Sequence, residues 1–294
     1  MKSPISLSIL LVPVIMTSCL NSSPQGMTCA PSPNFSERKL PVSMLVLHYT
    51  AEKTDAKALD CLTDSNAEHP VSSHYLVGRR GRIYAIVDEE NRAWHAGPGF
   101  WHGIRDVNSA SVGIEISNRG IDAKGRPVPF TDSEIDAVIT LCTNICARYK
   151  IAPRDVVGHS DVALRRKIDP GPLFPWAKLA EHGIGFWTDD FAEPKVPAEE
   201  MLAAIGYDTG DLQAALRAFQ LHFYPEAVTK GATRTLERLA AVYNGLRGQS
   251  APAPADLNEM GSQSPRLLRT GKGDDAVCGH AGASPSAPPP EPET

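Results

Sequence analysis

Four consecutive apolar residues, Met44-Leu-Val-Leu47, run directly into a histidine, His48. An apolar run of that length predicts a short buried strand with a polar group at its end. Ser111-Val-Gly-Ile-Glu-Ile116 alternates instead. As a strand of period two it places Val112, Ile114 and Ile116 on one face and Gly113, Glu115 and Ser117 on the other. His74-Tyr-Leu-Val77 and Arg82-Ile-Tyr-Ala-Ile-Val87 flank Gly78-Arg-Arg-Gly81, the pattern of a hairpin with a glycine-containing four-residue loop. The period then changes. Thr131 can cap a helix, and Glu134 completes a capping box. Ile135, Val138, Ile139, Cys142, Ile145 and Cys146 follow at helical spacing. Thr54–Asn66 is more weakly helical. Val156-Val157 leads into Gly158-His159, with His159 expected at the start of a loop. Interleaved strands and helices predict a mixed α/β domain.

Pro194 and Pro197 mark a boundary. Beyond it, Pro197–Ile205 predicts a short helix ended by Gly206. A second helix carries Leu212, Leu216, Phe219 and Phe223, and a third holds Leu236, Leu239, Ala240 and Tyr243. These three make a small helical unit over 195–247. Residues 20–40, rich in Ser, Pro and Asn, predict a tether. Residues 251–294, rich in Pro, Ala, Ser and Gly, predict a disordered tail. The main α/β domain is expected over 41–190.

Composition narrows the class. The chain has 294 residues, 42% of them hydrophobic, with a net charge of −5. That is enough for about two domains. No basic stripe with interleaved aromatics occurs, so nucleic acid is excluded as a partner. Lys2 and the apolar stretch Ile5–Met16, too short to span a bilayer, form a targeting segment. Thr17-Ser18-Cys19 then resembles the end of a bacterial lipoprotein signal, in which the cysteine is lipidated. Leu20, where an Asp is absent, resembles signals sorted to an outer membrane. An ordinary cleaved secretory signal, leaving a soluble periplasmic protein, is the alternative. Cysteines 29, 61, 142, 146 and 278 remain. Disulfides are possible after export, but their pairing is not legible. Cys142 and Cys146 share a helix face and are expected to pack.

The chemistry concentrates in His159-Ser-Asp-Val-Ala-Leu-Arg-Arg-Lys167-Ile-Asp169-Pro-Gly-Pro172. With His48, this offers two imidazoles and a carboxylate. Three such ligands suit a zinc site with one position left open for catalysis. Glu115 is either on a solvated face or placed inside such a site, where it can act as general acid and base. Lys167 is either a surface lysine or an oxyanion stabiliser.

Six segments together carry a resemblance. They are Val46-Leu-His-Tyr-Thr50, Ser73-His-Tyr-Leu-Val77, Ala93-Trp-His-Ala-Gly97, Asn108 with Ser111–Ile116, Gly158-His-Ser-Asp161 and Lys167-Ile-Asp-Pro-Gly-Pro172. In this order, over about residues 42 to 188, the chain resembles the zinc-dependent N-acetylmuramoyl-L-alanine amidases, a family that includes a phage lysozyme, the peptidoglycan recognition proteins and the bacterial AmpD enzymes. The resemblance implies a mixed central sheet with helices on both faces, followed by the three-helix domain. It implies that His48, His159 and Asp169 bind one zinc ion per chain. Glu115 would be the catalytic acid and base, and Lys167 the electrophilic helper. Tyr75 falls in the strand beside the site and would line it as a substrate contact. Trp94, His95 and Asn108 fall where the family contacts glycan or stem peptide. His69, His74, His102 and His182 receive no role.

The implied reaction is hydrolysis of the amide between the lactyl group of N-acetylmuramic acid and L-alanine, in peptidoglycan or in muropeptides, including the anhydro forms. The three-helix unit, around Ala218-Phe-Gln-Leu-His-Phe223, resembles a small peptidoglycan-binding domain, with plain packing as the alternative. The expected partners are peptidoglycan fragments, and a membrane through a lipid on Cys19. A monomer is expected. Three rivals are a non-catalytic binding module of the same fold, another zinc hydrolase and a lipid-anchored structural protein. The complete residue set opposes the first, the absence of a His-Glu-x-x-His helix opposes the second, and the co-occurrence of the motifs opposes the third.

Overall fold

The apolar run that ends at His48 becomes the strand around which the sheet is assembled. The computed structural model describes residues 26–248. In chain order these form β1 (Thr28–Cys29), β2 (Phe35–Glu37), β3 (Met44–Tyr49), α1 (Asp55–Thr63), β4 (Tyr75–Val77), β5 (Ile83–Ala85), β6 (Asn91–Ala93), α2 (Val107–Ala110), β7 (Ser111–Ile116), α3 (Asp132–Tyr149), β8 (Val156–Gly158), α4 (His159–Val162), α5 (Trp176–Glu181), α6 (Ala198–Ile205), α7 (Leu212–Phe223), α8 (Pro225–Lys230) and α9 (Thr235–Gly248). Six strands make one mixed sheet in the order β1-β5-β4-β7-β3-β8. β3 runs parallel to both of its neighbours, and β4 and β5 form the antiparallel hairpin. β2 and β6 pair separately.

Alternation gives the sheet two faces with different partners. Leu45, Leu47, Val112, Ile114 and Ile116 share a core with Ile135, Val138, Leu141 and Ile145 of α3 and with Trp176 and Leu179 of α5. Met44 and Val46 belong to a second core with Val107 of α2 and with side chains of α6, α7 and α9. Helices therefore cover both faces. Each fully buried aliphatic side chain contributes about 1.5–3 kcal/mol. α3 starts as its sequence predicts. The Glu134 N–H donates to Thr131 Oγ1 at 3.2 Å, and the Thr131 N–H donates to Glu134 Oε2 at 2.6 Å.

Residues 26–40 are not the predicted tether. β1 extends the edge of the main sheet, and Phe35 is buried in a core with Leu62 and Leu76. Asn34 Nδ2 donates to the carbonyls of Asp64 and Val71, each at 3.0 Å. The Arg38 guanidinium donates to the carbonyls of Glu89, Asn91, Ser109 and Ser111. Strands of two and three residues are too short to show a period, and these polar side chains saturate buried backbone rather than face water. The α/β unit thus begins before residue 41.

Pro194 and Pro197 do not separate two cores. Phe219 and Leu239 sit in the same buried cluster as Val46 and Val157. A further short helix, α8, lies between the second and third predicted ones. Leu212 and Leu236 of the predicted stripes are exposed. The buried face of α7 is Ala214, Ala215, Ala218, Phe219, His222 and Phe223 instead. The signal segment 1–19 with Cys19, the stretch 20–25 of the expected tether and the tail 251–294 lie outside the described residues.

Candidate active site

The carboxyl ends of three adjacent parallel strands meet at one point, where open α/β sheets place their ligand sites. His48 stands near the end of β3 and pairs in register with Glu115 of β7. On the other side Leu47 pairs with Gly158, so His159 follows at the end of β8. His159 opens the four-residue helix α4 rather than a loop. Its turn is held by Asp161, whose Oδ2 accepts from the Gly158 N–H at 2.7 Å. The chain then returns, and the Ser160 N–H donates to the Asp169 carbonyl at 2.8 Å. A Cβ on Gly158 would sit 2.7 Å from Pro170 Cδ, so only glycine admits this return path.

His48 Nδ1 and His159 Nδ1 are 2.9 Å apart. Asp169 Oδ2 lies 3.3 Å from the first and 3.1 Å from the second. Four ligands at about 2.0–2.1 Å in a tetrahedron stand about 3.3 Å from one another, so these separations suit one small cation. All three residues are buried and could jointly hold a metal ion. Burial, then the nearby His159, lowers His48 to about 4, which keeps its imidazole neutral as a ligand must be. Burial pushes Asp169 up, but the charge and hydrogen bond of His159, with those of His48, outweigh it and hold the carboxyl well below its usual range. His159 Nε2 lies 3.0 Å from the Ala96 carbonyl, which accepts its proton and leaves Nδ1 free.

Glu115 is half-buried on the wall of a cavity of about 330 Å³ that His159 and Asp169 also line. Its Oε2 is buried without a hydrogen-bond partner among the described residues. Burial, reinforced by the Asp169 charge and opposed by Lys167, pushes its carboxyl up to about 8. Of the two faces open to Glu115 in the sequence, the structure selects the site. Lys167 is exposed and lines the cavity. Trp94 and His95 line it too, although both are buried.

Two predicted contacts fall elsewhere. Tyr75 pairs with Ile114, while Leu76 pairs with Glu115. Tyr75 therefore points to the face opposite Glu115, where its hydroxyl donates to Glu89 Oε1 at 2.9 Å. Asn108 is buried behind the site. Its Oδ1 accepts from the N–H groups of His95 and Ala96 at 3.1 and 2.8 Å, so it shapes the segment that carries His95.

Other side chains here were not singled out from the sequence. Tyr49, Thr50 and Arg166 line the cavity. Arg166 Nη2 donates to the Ala96 and Pro98 carbonyls, and its place beside Lys167 was an available signal. Asp161 was visible only as part of a motif. Besides the Gly158 N–H, it accepts from Tyr207 Oη and His222 Nδ1, each at 2.7 Å. Tyr207, in the loop after α6, and His222 of α7 thus brace the turn that carries His159.

Known proteins are similar to this chain. A family model described as N-acetylmuramoyl-L-alanine amidase matches residues 38–172. The N-acetylmuramoyl-L-alanine amidase AmiD of Escherichia coli is 40% identical over 237 residues, covering 71% of this chain and 84% of AmiD. A solved complex of AmiD from E. coli with anhydro-N-acetylmuramic acid-L-Ala-D-gamma-Glu-L-Lys matches with TM-score 0.61 and 34% identity, covering 74% of this chain and 99% of that one. The structure of AmpDh3 from Pseudomonas aeruginosa matches with TM-score 0.62 and 33% identity, covering 81% of this chain and all (100%) of that one.

Proposed function

The chain belongs to the N-acetylmuramoyl-L-alanine amidase family, and from that premise we propose how its residues carry out the reaction. It hydrolyses the amide between the lactyl group of N-acetylmuramic acid and L-alanine, in anhydro-muropeptides among other peptidoglycan fragments, during cell-wall turnover. The convergence of two imidazoles and one carboxylate beside a glutamate with a free oxygen, with His159, Asp169 and Glu115 lining one cavity, supports this most directly.

His48, His159 and Asp169 would hold one zinc ion through Nδ1, Nδ1 and Oδ2. When bound, the ion polarises a carbonyl and acidifies water. Glu115 takes a proton from the attacking water and gives it to the departing L-alanine amine. Its free Oε2 suits that role, since no group among the described residues hydrogen-bonds to it. The Lys167 ammonium, on the cavity wall, stabilises charge on the carbonyl oxygen as the tetrahedral state forms. We place the protein outside the cytoplasm, anchored through a lipid on Cys19 in an outer membrane and facing the periplasm. Labelling with a radioactive fatty acid tests that anchor, and label on a Cys19→Ser variant would refute it.

Mass spectrometry of anhydro-muropeptides incubated with the protein, with and without chelator, tests the reaction. Release of a free stem peptide with an L-alanine amino terminus, abolished by chelator and restored by zinc, is expected. Cleavage within the stem peptide, or release indifferent to chelator, would overturn the proposal.

A further inference from the structure

His95 sits where a glycan or stem-peptide contact was expected, yet both of its ring nitrogens are already engaged. Nδ1 lies 3.0 Å from His48 Nε2, and Nε2 lies 3.2 Å from Ser111 Oγ. The Ser111 hydroxyl in turn lies 2.5 Å from the Val107 carbonyl. A carbonyl oxygen only accepts, so the direction of every link is set from that end. Ser111 donates to Val107. Ser111 Oγ then accepts from His95 Nε2–H, and His95 Nδ1 carries no proton. That nitrogen accepts from His48 Nε2–H, so His48 Nδ1 presents a lone pair to Asp169 and His159. The opposite polarity would set two bare oxygens against each other at Ser111 and Val107. It would also aim a proton from His48 Nδ1 at the ligand cluster.

We propose that His95 is a positioning residue, which fixes the tautomer and ring orientation of His48 through a proton-ordered chain ending on the Val107 carbonyl. This rests on His48, His159 and Asp169 being the zinc ligands. Metal-bound histidines generally donate their remote N–H to an acceptor that orients the ring. His159 does so directly, to the Ala96 carbonyl. His48 lies deeper in the sheet, fully buried at the β3–β7 pairing, and reaches its carbonyl through an imidazole and a hydroxyl. A second feature of the strand supports the same assignment. A Cβ on Gly113 would sit 2.4 Å from His95 Cγ, so the glycine leaves room for this ring. Ser111, Gly113 and Glu115 alternate along one face of β7. One ends the chain, one admits the imidazole and one serves the chemistry.

Two measurements test it. In wild-type protein loaded with one equivalent of Zn²⁺, long-range proton–nitrogen NMR should show both His48 and His95 protonated on Nε2. Failure to load zinc at all would sink the metal assignment instead, so the two failures are distinguishable. A His48 protonated on Nδ1 would overturn the proposal. Second, Zn²⁺ affinity is measured by competition with a chromophoric chelator. His95→Leu should bind zinc about 10–100-fold more weakly. His95→Asn, whose Oδ1 takes the place of Nδ1 as acceptor, should recover most of the loss. Wild-type zinc affinity in His95→Leu, with only a raised KM, would make His95 a substrate contact and overturn the proposal.

Discussion

Substituting Gly113 by alanine should change sign with the residue at position 95. The added Cβ would lie 2.4 Å from His95 Cγ and 2.6 Å from both Cδ2 and Nδ1. Carbon atoms in contact prefer about 3.5–4.0 Å, so the ring must retreat by about 1 Å. It cannot do so freely, because its nitrogens are tied to His48 and Ser111. Overpacking of a buried site costs about 1–3 kcal/mol. For a chain of this size each kcal/mol lowers Tm by about 2–4 °C. Gly113 has no left-handed backbone angle, so alanine fits its conformation. Without the ring, Gly113→Ala should stabilise by about 0.4–1 kcal/mol, because glycine has more freedom to lose on folding. Denaturant unfolding of wild type, Gly113→Ala, His95→Ala and the double variant closes the cycle. Gly113→Ala should destabilise wild type and be neutral or stabilising beside His95→Ala. Additivity within about 0.5 kcal/mol, the behaviour of independent sites, would refute the packing assigned to this pair.

Glu115→Gln should keep zinc and lose about 10²–10⁴-fold in turnover; near-normal turnover measured on a muropeptide would remove Glu115 from the chemistry. The same variant has a pH signature. Burial and Asp169 push Glu115 up to about 8 in the fold, against about 4.3 in the unfolded chain. Between those values the folded state holds more protons, so metal-free stability falls as pH rises from about 5 to 8. Glu115→Gln should flatten that slope, and an unchanged slope would contradict the burial of this carboxyl. Tyr207→Phe removes one of three donors to the fully buried Asp161. It should cost about 1.5–3 kcal/mol, the range for a hydrogen bond to a charged group. Loss of zinc affinity as well would show that the C-terminal helices steady the turn bearing His159, whereas unchanged unfolding would show that Tyr207 is dispensable there.

The parts of the fold that were legible in the sequence are those with a period. β3, β7 and α3 each repeat a pattern long enough to distinguish two faces, and α3 carries its own start signal in Thr131 and Glu134. The candidate ligands His48, His159 and Asp169 were legible as a set only through the motifs that carry the resemblance, since Asp169 lies in a loop well beyond the end of β8. What stayed hidden depends on register and distance. Alternation divides β7 into Glu115 and Ile114 faces, but it does not say that β7 lies inside the sheet between β4 and β3, where neither face is the outer surface. The same missing register put Tyr75 beside the site, when its pairing with Ile114 turns it away. Asn34 and Arg38 looked like part of a tether because their partners lie tens of residues along the chain, and hydrogen bonds of that range leave no local trace. His95 is the instructive case. Nothing in Ala93-Trp-His-Ala-Gly97 distinguishes a substrate contact from a support for His48. The distinguishing residue is on another strand, and it is an absence: Gly113 gives up a side chain in mid-strand, at a cost to strand stability. A glycine in an alternating strand is thus a question about what approaches it, and here the ring that approaches is His95, itself 3.0 Å from His48.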